Sequence, residues 1–237
     1  LNEFLIKEID KDKLYTFLRY MEFNRLLSQA ISFYGEPGEK KFSLENKSTK
    51  GTKINTKQYK KIILVKDLDK LIKDLNTKGI ISVDTETSSL NPQEAELIGI
   101  SVSYAPNKSF YIPVGHKKNK CLSKDLVIKK MKPILEDPSI KKVGQNIKYD
   151  YIIFKKSGVE LNSIEDTMLL SYTLDAGNNR HNMDTLSELH LGHKTISYKD
   201  LVGTGKKQLK FSEVDLDKAT EYAAEDADVT LRLYQIL

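Results

Sequence analysis

Residues 79–90 read Gly79-Ile80-Ile81-Ser82-Val83-Asp84-Thr85-Glu86-Thr87-Ser88-Ser89-Leu90. An apolar, β-branched run gives way to acids and hydroxyls, which predicts a strand over 79–85 with a polar end. Successive strand side chains point to opposite faces, so Asp84 and Glu86, two apart, share one face. Like charges held together repel unless a cation neutralises them. A solvated strand end has the same pattern, so this pair needs the support of its neighbours.

Upstream, Leu68, Leu71, Ile72 and Leu75 recur at i, i+3, i+4 and i+7, predicting a helix over 67–75 after a strand over 61–65. Downstream, apolar segments over 97–104 and 109–114 flank Ala105-Pro106-Asn107-Lys108 and read as a hairpin. Ser123 caps a predicted helix to about Leu135, interrupted at Pro133. A short strand follows over 142–144, and the chain is mostly helical from Lys148 on. Three antiparallel strands, a helix, a strand and further helices describe a mixed α/β domain with a covered sheet. Residues 1–34 form a helical appendage, with Leu14, Phe17, Leu18, Met21 and Phe23 near helical spacing, and residues 35–58 read as a linker opening on Gly35-Glu36-Pro37-Gly38. The domain proper is expected over 59–237.

Of the 237 residues, 39% are hydrophobic and 30% charged, enough apolar material for a core, and this excludes wholesale disorder. No apolar run approaches the roughly 20 residues of a membrane span, and no secretory leader is visible. Cys121 is the only cysteine, which excludes an internal disulfide and a cysteine-rich zinc site and fits a reducing, cytoplasmic compartment. The net charge of +5 permits a polyanion partner without demanding one. The opening on Leu1 is read as the mark of a longer parent.

Two further polar clusters stand out. Gly144-Gln145-Asn146-Ile147-Lys148-Tyr149-Asp150 follows a strand and opens a helix; as a plain capping loop it would use Asn146 as N-cap and Asp150 as a favourable early acid. Tyr222-Ala223-Ala224-Glu225-Asp226 places Tyr222 and Asp226 on one helical face, with Ala219 and Ala223 small enough for close approach to another element. Acids gathered from three separated segments suit hard divalent cations, and two such ions about 4 Å apart clamp a phosphodiester. Gly203-Thr204-Gly205-Lys206 lacks the spacing of a phosphate loop, and His190 and His193 read as surface histidines.

Residues 83–90, 143–150 and 222–229, in this order, resemble the three exonuclease motifs of the bacterial DNA polymerase I family. Asp166-Thr167-Met168-Leu169, the stretch from Arg180 to Leu186 and His193-Lys194-Thr195-Ile196 are similar to that family's proofreading domain as well. The resemblance covers about 60–237 and implies a ribonuclease H-like mixed sheet flanked by helices, of the four-carboxylate exonuclease superfamily. It implies a two-metal-ion 3′→5′ exodeoxyribonuclease that releases nucleoside 5′-monophosphates. Asp84, Glu86 and Asp226 match direct ligands of two divalent cations, Mg or Mn, with Asp84 shared. Asp150 matches the acid that holds the second ion, and Tyr222 the tyrosine that helps Glu86 orient water. Leu90 matches the residue packing on the terminal nucleotide, and Tyr198 the aromatic that stacks on the strand, where the family has Phe. Gln145, Asn146, Tyr149 and Arg180 fall at substrate-backbone positions. Residues 14–27 resemble the end of a 5′-nuclease domain. The implied partners are the 3′ end of single-stranded DNA and a polymerase domain in cis, with no membrane and a monomer as the default. No polymerase domain fits within the chain, so DNA synthesis is not expected of it. An exoribonuclease on the same fold and a non-catalytic single-strand-binding module are the alternatives.

Overall fold

The structure, a computed structural model, describes residues 9–36, 53–117, 120–205 and 208–237. The chain divides into two compact units, 1–47 and 48–237. In the first, α1 (Lys11–Tyr20) is capped by Asp10, which accepts from the Lys13 backbone N–H at 3.1 Å, and α2 (Asn24–Tyr34) ends at Gly35. Tyr15, Leu18 and Ala30 form a small core with Leu14, Leu27 and Ile31. The expected stripe is only partly buried: Phe17 lies within α1 but off the face that buries Tyr15 and Leu18, and Met21 and Phe23 flank Glu22, whose positive φ of 56° ends the helical run; all three apolar residues are exposed.

In the second unit, Asn55 caps a short 3-10 turn (Thr56–Gln58), and its N–H donates to Asn107 Oδ1 at 2.9 Å. Of the expected linker, residues 37–52 lie outside the described residues, while 53–58 are tied to this unit. The strand expected over 61–65 shrinks to β1 (Lys60–Lys61) plus one bond from Ile62 N–H to the Tyr111 carbonyl. Leu64 is extended, and α3 (Val65–Leu75) starts directly after it. Burying Leu68, Leu71 and Leu75 outweighs the strand preference of Val65.

The sheet continues with β2 (Ile80–Thr87), β3 (Leu97–Ser103), β4 (Ser109–Pro113), β5 (Lys141–Gly144) and β6 (Ile164–Asp166) in the order β1-β4-β3-β2-β5-β6. The β2/β3 and β3/β4 pairs are antiparallel; β1/β4, β2/β5 and β5/β6 are parallel. Between β4 and β5, α4 (Lys124–Glu136) runs through Pro133 without the expected interruption. Pro133 falls in the last turn, where one missing N–H is a small loss against burial of Met131, Ile134 and Leu135. Ser123 holds the N-cap position, but its side chain makes no capping bond.

The remaining helices are α5 (Lys148–Lys156), α6 (Thr167–Asp175), α7 (Met183–Leu186), α8 (Tyr198–Val202) and the long α9 (Leu216–Ile236). A π-helical turn (Ser187–Leu191) follows α7 and stops at Gly192, φ 61°. Strand alternation divides the interior. Ile81 and Val83 join the main core with Leu68, Met131 and Phe154. Ser82 faces α9 and donates to the Ala227 carbonyl at 2.6 Å. Ala219, Ala223 and Ala227 are fully buried there, so the small residues bring α9 close to the sheet. Among the described residues no helix is long and apolar enough to cross a membrane.

Candidate active site

Asp84 and Glu86 alternate with Ser82 and therefore point toward α9, from which Asp226 projects. Asp84, Glu86 and Asp226 each offer a carboxylate oxygen, all within 4.8 Å of one another. Glu86 and Asp226 are buried, and Asp226 Oδ1 has no hydrogen-bond partner. Thr85, alternating to the other face, meets α5: its backbone N–H donates to Asp150 Oδ1 at 2.9 Å and its hydroxyl donates to the same atom. This holds Asp150 beside Asp84 without placing it in the group of three.

Electrostatics follow from burial and like charge. Burial pushes Asp84 up to about 6, opposed by the Ser101 hydroxyl and the Thr85 N–H. Glu86 lies well above its ordinary value through burial and then through Asp84, Asp226 and Asp150. Asp150 is raised by burial and Asp84, and Asp226 by burial, Asp84 and Glu225. The dominant charged neighbours of these acids are thus other acids, a donor set that lacks only a hard cation. An orphaned buried oxygen on Asp226 fits the same requirement. The Tyr222 phenol is held protonated, chiefly by burial and then by Asp226 and Glu86.

The loop before α5 is built for its place. A Cβ on Gly144 would come within 2.7 Å of Ile147, so the strand end requires glycine. Asn146 adopts a φ of 59° and is not the N-cap of α5; that position is Ile147. Asp166, at the end of β6, does the capping across the loop: its carboxylate accepts from the N–H groups of Asn146 at 2.9 Å and Ile147 at 3.1 Å, and also from Met168 at 2.9 Å.

A cleft of about 740 Å³ opens over the carboxylates, lined by Asp84, Glu86, Leu90, Gln145, Asn146, Tyr149, Asp150, Tyr198 and Tyr222. Leu90 is 95% exposed. Gln145 donates to the His181 carbonyl at 2.8 Å, and the Tyr149 hydroxyl bonds to Thr87 and the Ser89 carbonyl. Arg180 is exposed in the loop after α6 and does not line this cleft. Thr85 and Gln208, which also line the cleft, carry no separate signal in the sequence beyond the alternation that turns Thr85 away from its acidic neighbours, and Asp166, though part of the resemblance, gives no sign there of its capping role.

His193 departs from the surface role expected of it. Its Nε2 lies 2.8 Å from Glu225 Oε1, and the Ile196 N–H donates to Oε2 of the same residue at 2.6 Å. Glu225 is buried, so these donors satisfy a carboxylate removed from water. Gly203 and Gly205 have positive φ, as a loop requires; Lys206 lies outside the described residues.

Residues 60–237 match the family model described as 3′-5′ exonuclease. DNA polymerase I of Rhizobium leguminosarum is 45% identical over 191 residues, covering 72% of this chain and 19% of that protein. DNA polymerase I of Pseudomonas aeruginosa is 36% identical over 237 residues, covering 97% of this chain and 25% of that protein. The chain thus spans a quarter or less of the length of these relatives. The crystal structure of Trypanosoma brucei RNase D shares the fold at a TM-score of 0.62 and 19% identity, over 75% of this chain and 63% of that one. From β1 through α9, the chain belongs to the 3′-5′ exonuclease family, in the form found in bacterial DNA polymerase I.

Proposed function

We propose that the cleft removes nucleotides one at a time from the 3′ end of single-stranded DNA as 5′-monophosphates, proofreading for a polymerase domain in cis. One observation carries this reading: three carboxylates from β2 and α9 converge in a buried site with an unpartnered oxygen on Asp226. Asp84, Glu86 and Asp226 would hold divalent cations, Mg or Mn, with Asp84 shared between two and Asp150 serving the second. When bound, these ions supply positive charge against the phosphodiester and acidify water.

The chain's own groups do the rest. Glu86 accepts a hydrogen bond from the attacking water, and the protonated Tyr222 phenol orients it. Leu90, mostly exposed at the rim, offers an apolar surface to the terminal nucleotide. Tyr198 stacks on a base. Gln145, Asn146 and Tyr149 face the sugar-phosphate track, and Arg180, outside the cleft, takes a phosphate further along the strand. Residues 1–34 are the remnant of a preceding 5′-nuclease domain, and the parent acts as a monomer in the cytoplasm.

Release of labelled nucleotide from matched DNA and RNA strands, in Mg, in Mn and in chelator, tests the reading. Stepwise, metal-dependent shortening of DNA is expected, and Asp84→Ala with Glu86→Ala should abolish it in a folded protein. Faster shortening of RNA would favour an exoribonuclease. Binding without hydrolysis in any metal would favour a binding module.

A further inference from the structure

Tyr198 is the first residue of α8, a helix of five residues, and is 43% exposed. So short a helix does little to fix an exposed ring, which would sample several staggered rotamers. Yet the ring lies parallel to that of Phe211, at an interplanar angle of 5° and a centroid distance of 6.4 Å. Phe211 is 3% exposed and does not line the cleft, so it cannot touch a substrate there.

The same phenylalanine reaches the second cleft tyrosine. Its centroid is 6.2 Å from that of Tyr222, and Tyr198 and Tyr222 meet edge-on at 6.0 Å. From below, Phe211 is backed by Tyr111 at 6.4 Å and His116 at 5.7 Å. Those two rings are themselves joined, Tyr111 Oη to His116 Nε2 at 2.9 Å, and both are buried. The layers therefore run from a hydrogen-bonded base, through Phe211, to the two tyrosines that line the cleft. Offset-parallel and edge-on pairs of this kind fix ring orientation as well as adding burial.

We propose that Phe211 is a positioning residue for substrate binding: it presets the plane of Tyr198 against Tyr222, so that a base entering the cleft meets an oriented stacking surface. This rests on the reading of Tyr198 as the stacking residue. A preoriented ring avoids ordering a side chain when the strand binds.

The test compares two single strands, one with all its bases and one abasic at its last three positions. Binding is measured with calcium, and hydrolysis with magnesium, for the wild type, Phe211→Leu, Tyr198→Ala and the double variant. Phe211→Leu should weaken binding and raise KM on the complete strand about tenfold, in line with one stacked base. On the abasic strand it should change either value by less than about twofold. The double variant should be no weaker than Tyr198→Ala alone. Equal losses on both strands, additive losses in the double variant, or unaltered binding of the complete strand by Phe211→Leu would each overturn the inference. Thermal unfolding confirms that the variants are folded, and Phe211→Met, which fills the same space without a flat face, replaces any leucine variant that is not. A wild type that binds the complete strand but hydrolyses nothing would defeat the proposed nuclease activity, and the binding arm would still decide the role of Phe211.

Discussion

Asp84, Glu86, Asp150 and Asp226 hold their protons more tightly in the folded chain than exposed acids do. A raised folded-state pKa means the native protein binds more protons than the unfolded one. Their contribution is therefore fully present below the ordinary carboxylate pKa of about 4, and it declines as pH rises through about 6 for Asp84 and further for the others. The metal-free protein, held in chelator, should lose stability from pH 5 to pH 8, seen as a fall in Tm on the order of a few degrees. Asp226→Asn should flatten that slope and raise Tm at pH 8 while abolishing hydrolysis. Magnesium at a hundredfold excess over its Kd should restore about 2.7 kcal/mol to the wild type. A Tm that rises with pH in chelator would show that the acids are neutralised within the protein. The four acids were legible because each stands at a strand end or on a helix face that its neighbours in sequence define. Phe211 was not, since its role lies in rings brought together from β4, the loop after it, α8 and α9.

Among the elements, the junction of β5 with α5 turns on one side chain from β6. Asp166 accepts from three N–H groups, on both the turn into α5 and the start of α6. Asp166→Ala should cost about 1–2 kcal/mol, the usual price of a lost cap. It should also raise KM by loosening Asn146 and the turn into α5. Asp166→Asn, which keeps one acceptor oxygen, should recover part of both, as urea unfolding and steady-state kinetics would show. If Asp166→Ala leaves stability unchanged, the cap is not needed. Periodicity revealed α3, the β3–β4 hairpin and β2, because their apolar residues repeat at the helix or strand period. It missed β6, three residues long, whose strand character comes from pairing with β5. The proline, not the periodicity, suggested a break at residue 133, where tertiary burial carries the helix onward, and the π-helical turn at 187–191 has no periodic signature at all.

For the second unit as a whole, the decisive contrast is between two buried acids two residues apart on α9. Asp226 faces other carboxylates, whereas Asp228 faces donors. Asp228 accepts from the Tyr59 hydroxyl at 2.8 Å, the Asn107 N–H at 2.9 Å and Arg232 Nε at 3.0 Å. Arg232 also donates to Asn107 Oδ1 at 3.0 Å, the atom that receives Asn55 N–H. One carboxylate thus joins the segment before β1, the β3–β4 hairpin and α9, elements up to 169 residues apart. None of this is visible in a linear reading, where Asp228 is one more acid in an acidic helix. Asp228→Ala removes the carboxylate paired with the buried Arg232 and strips the Tyr59 hydroxyl and the Asn107 N–H of their acceptor, and it should destabilise by about 3–5 kcal/mol. That is a large part of the 5–15 kcal/mol typical of a domain. Neutralising the neighbouring acid has the opposite sign: Asp226→Asn removes a repulsion, Asp228→Ala removes an attraction. Urea unfolding of both variants in chelator at pH 8 should place them on opposite sides of the wild type. If both fall on the same side, the partition of α9 into a structural acid and a cation-binding acid is wrong.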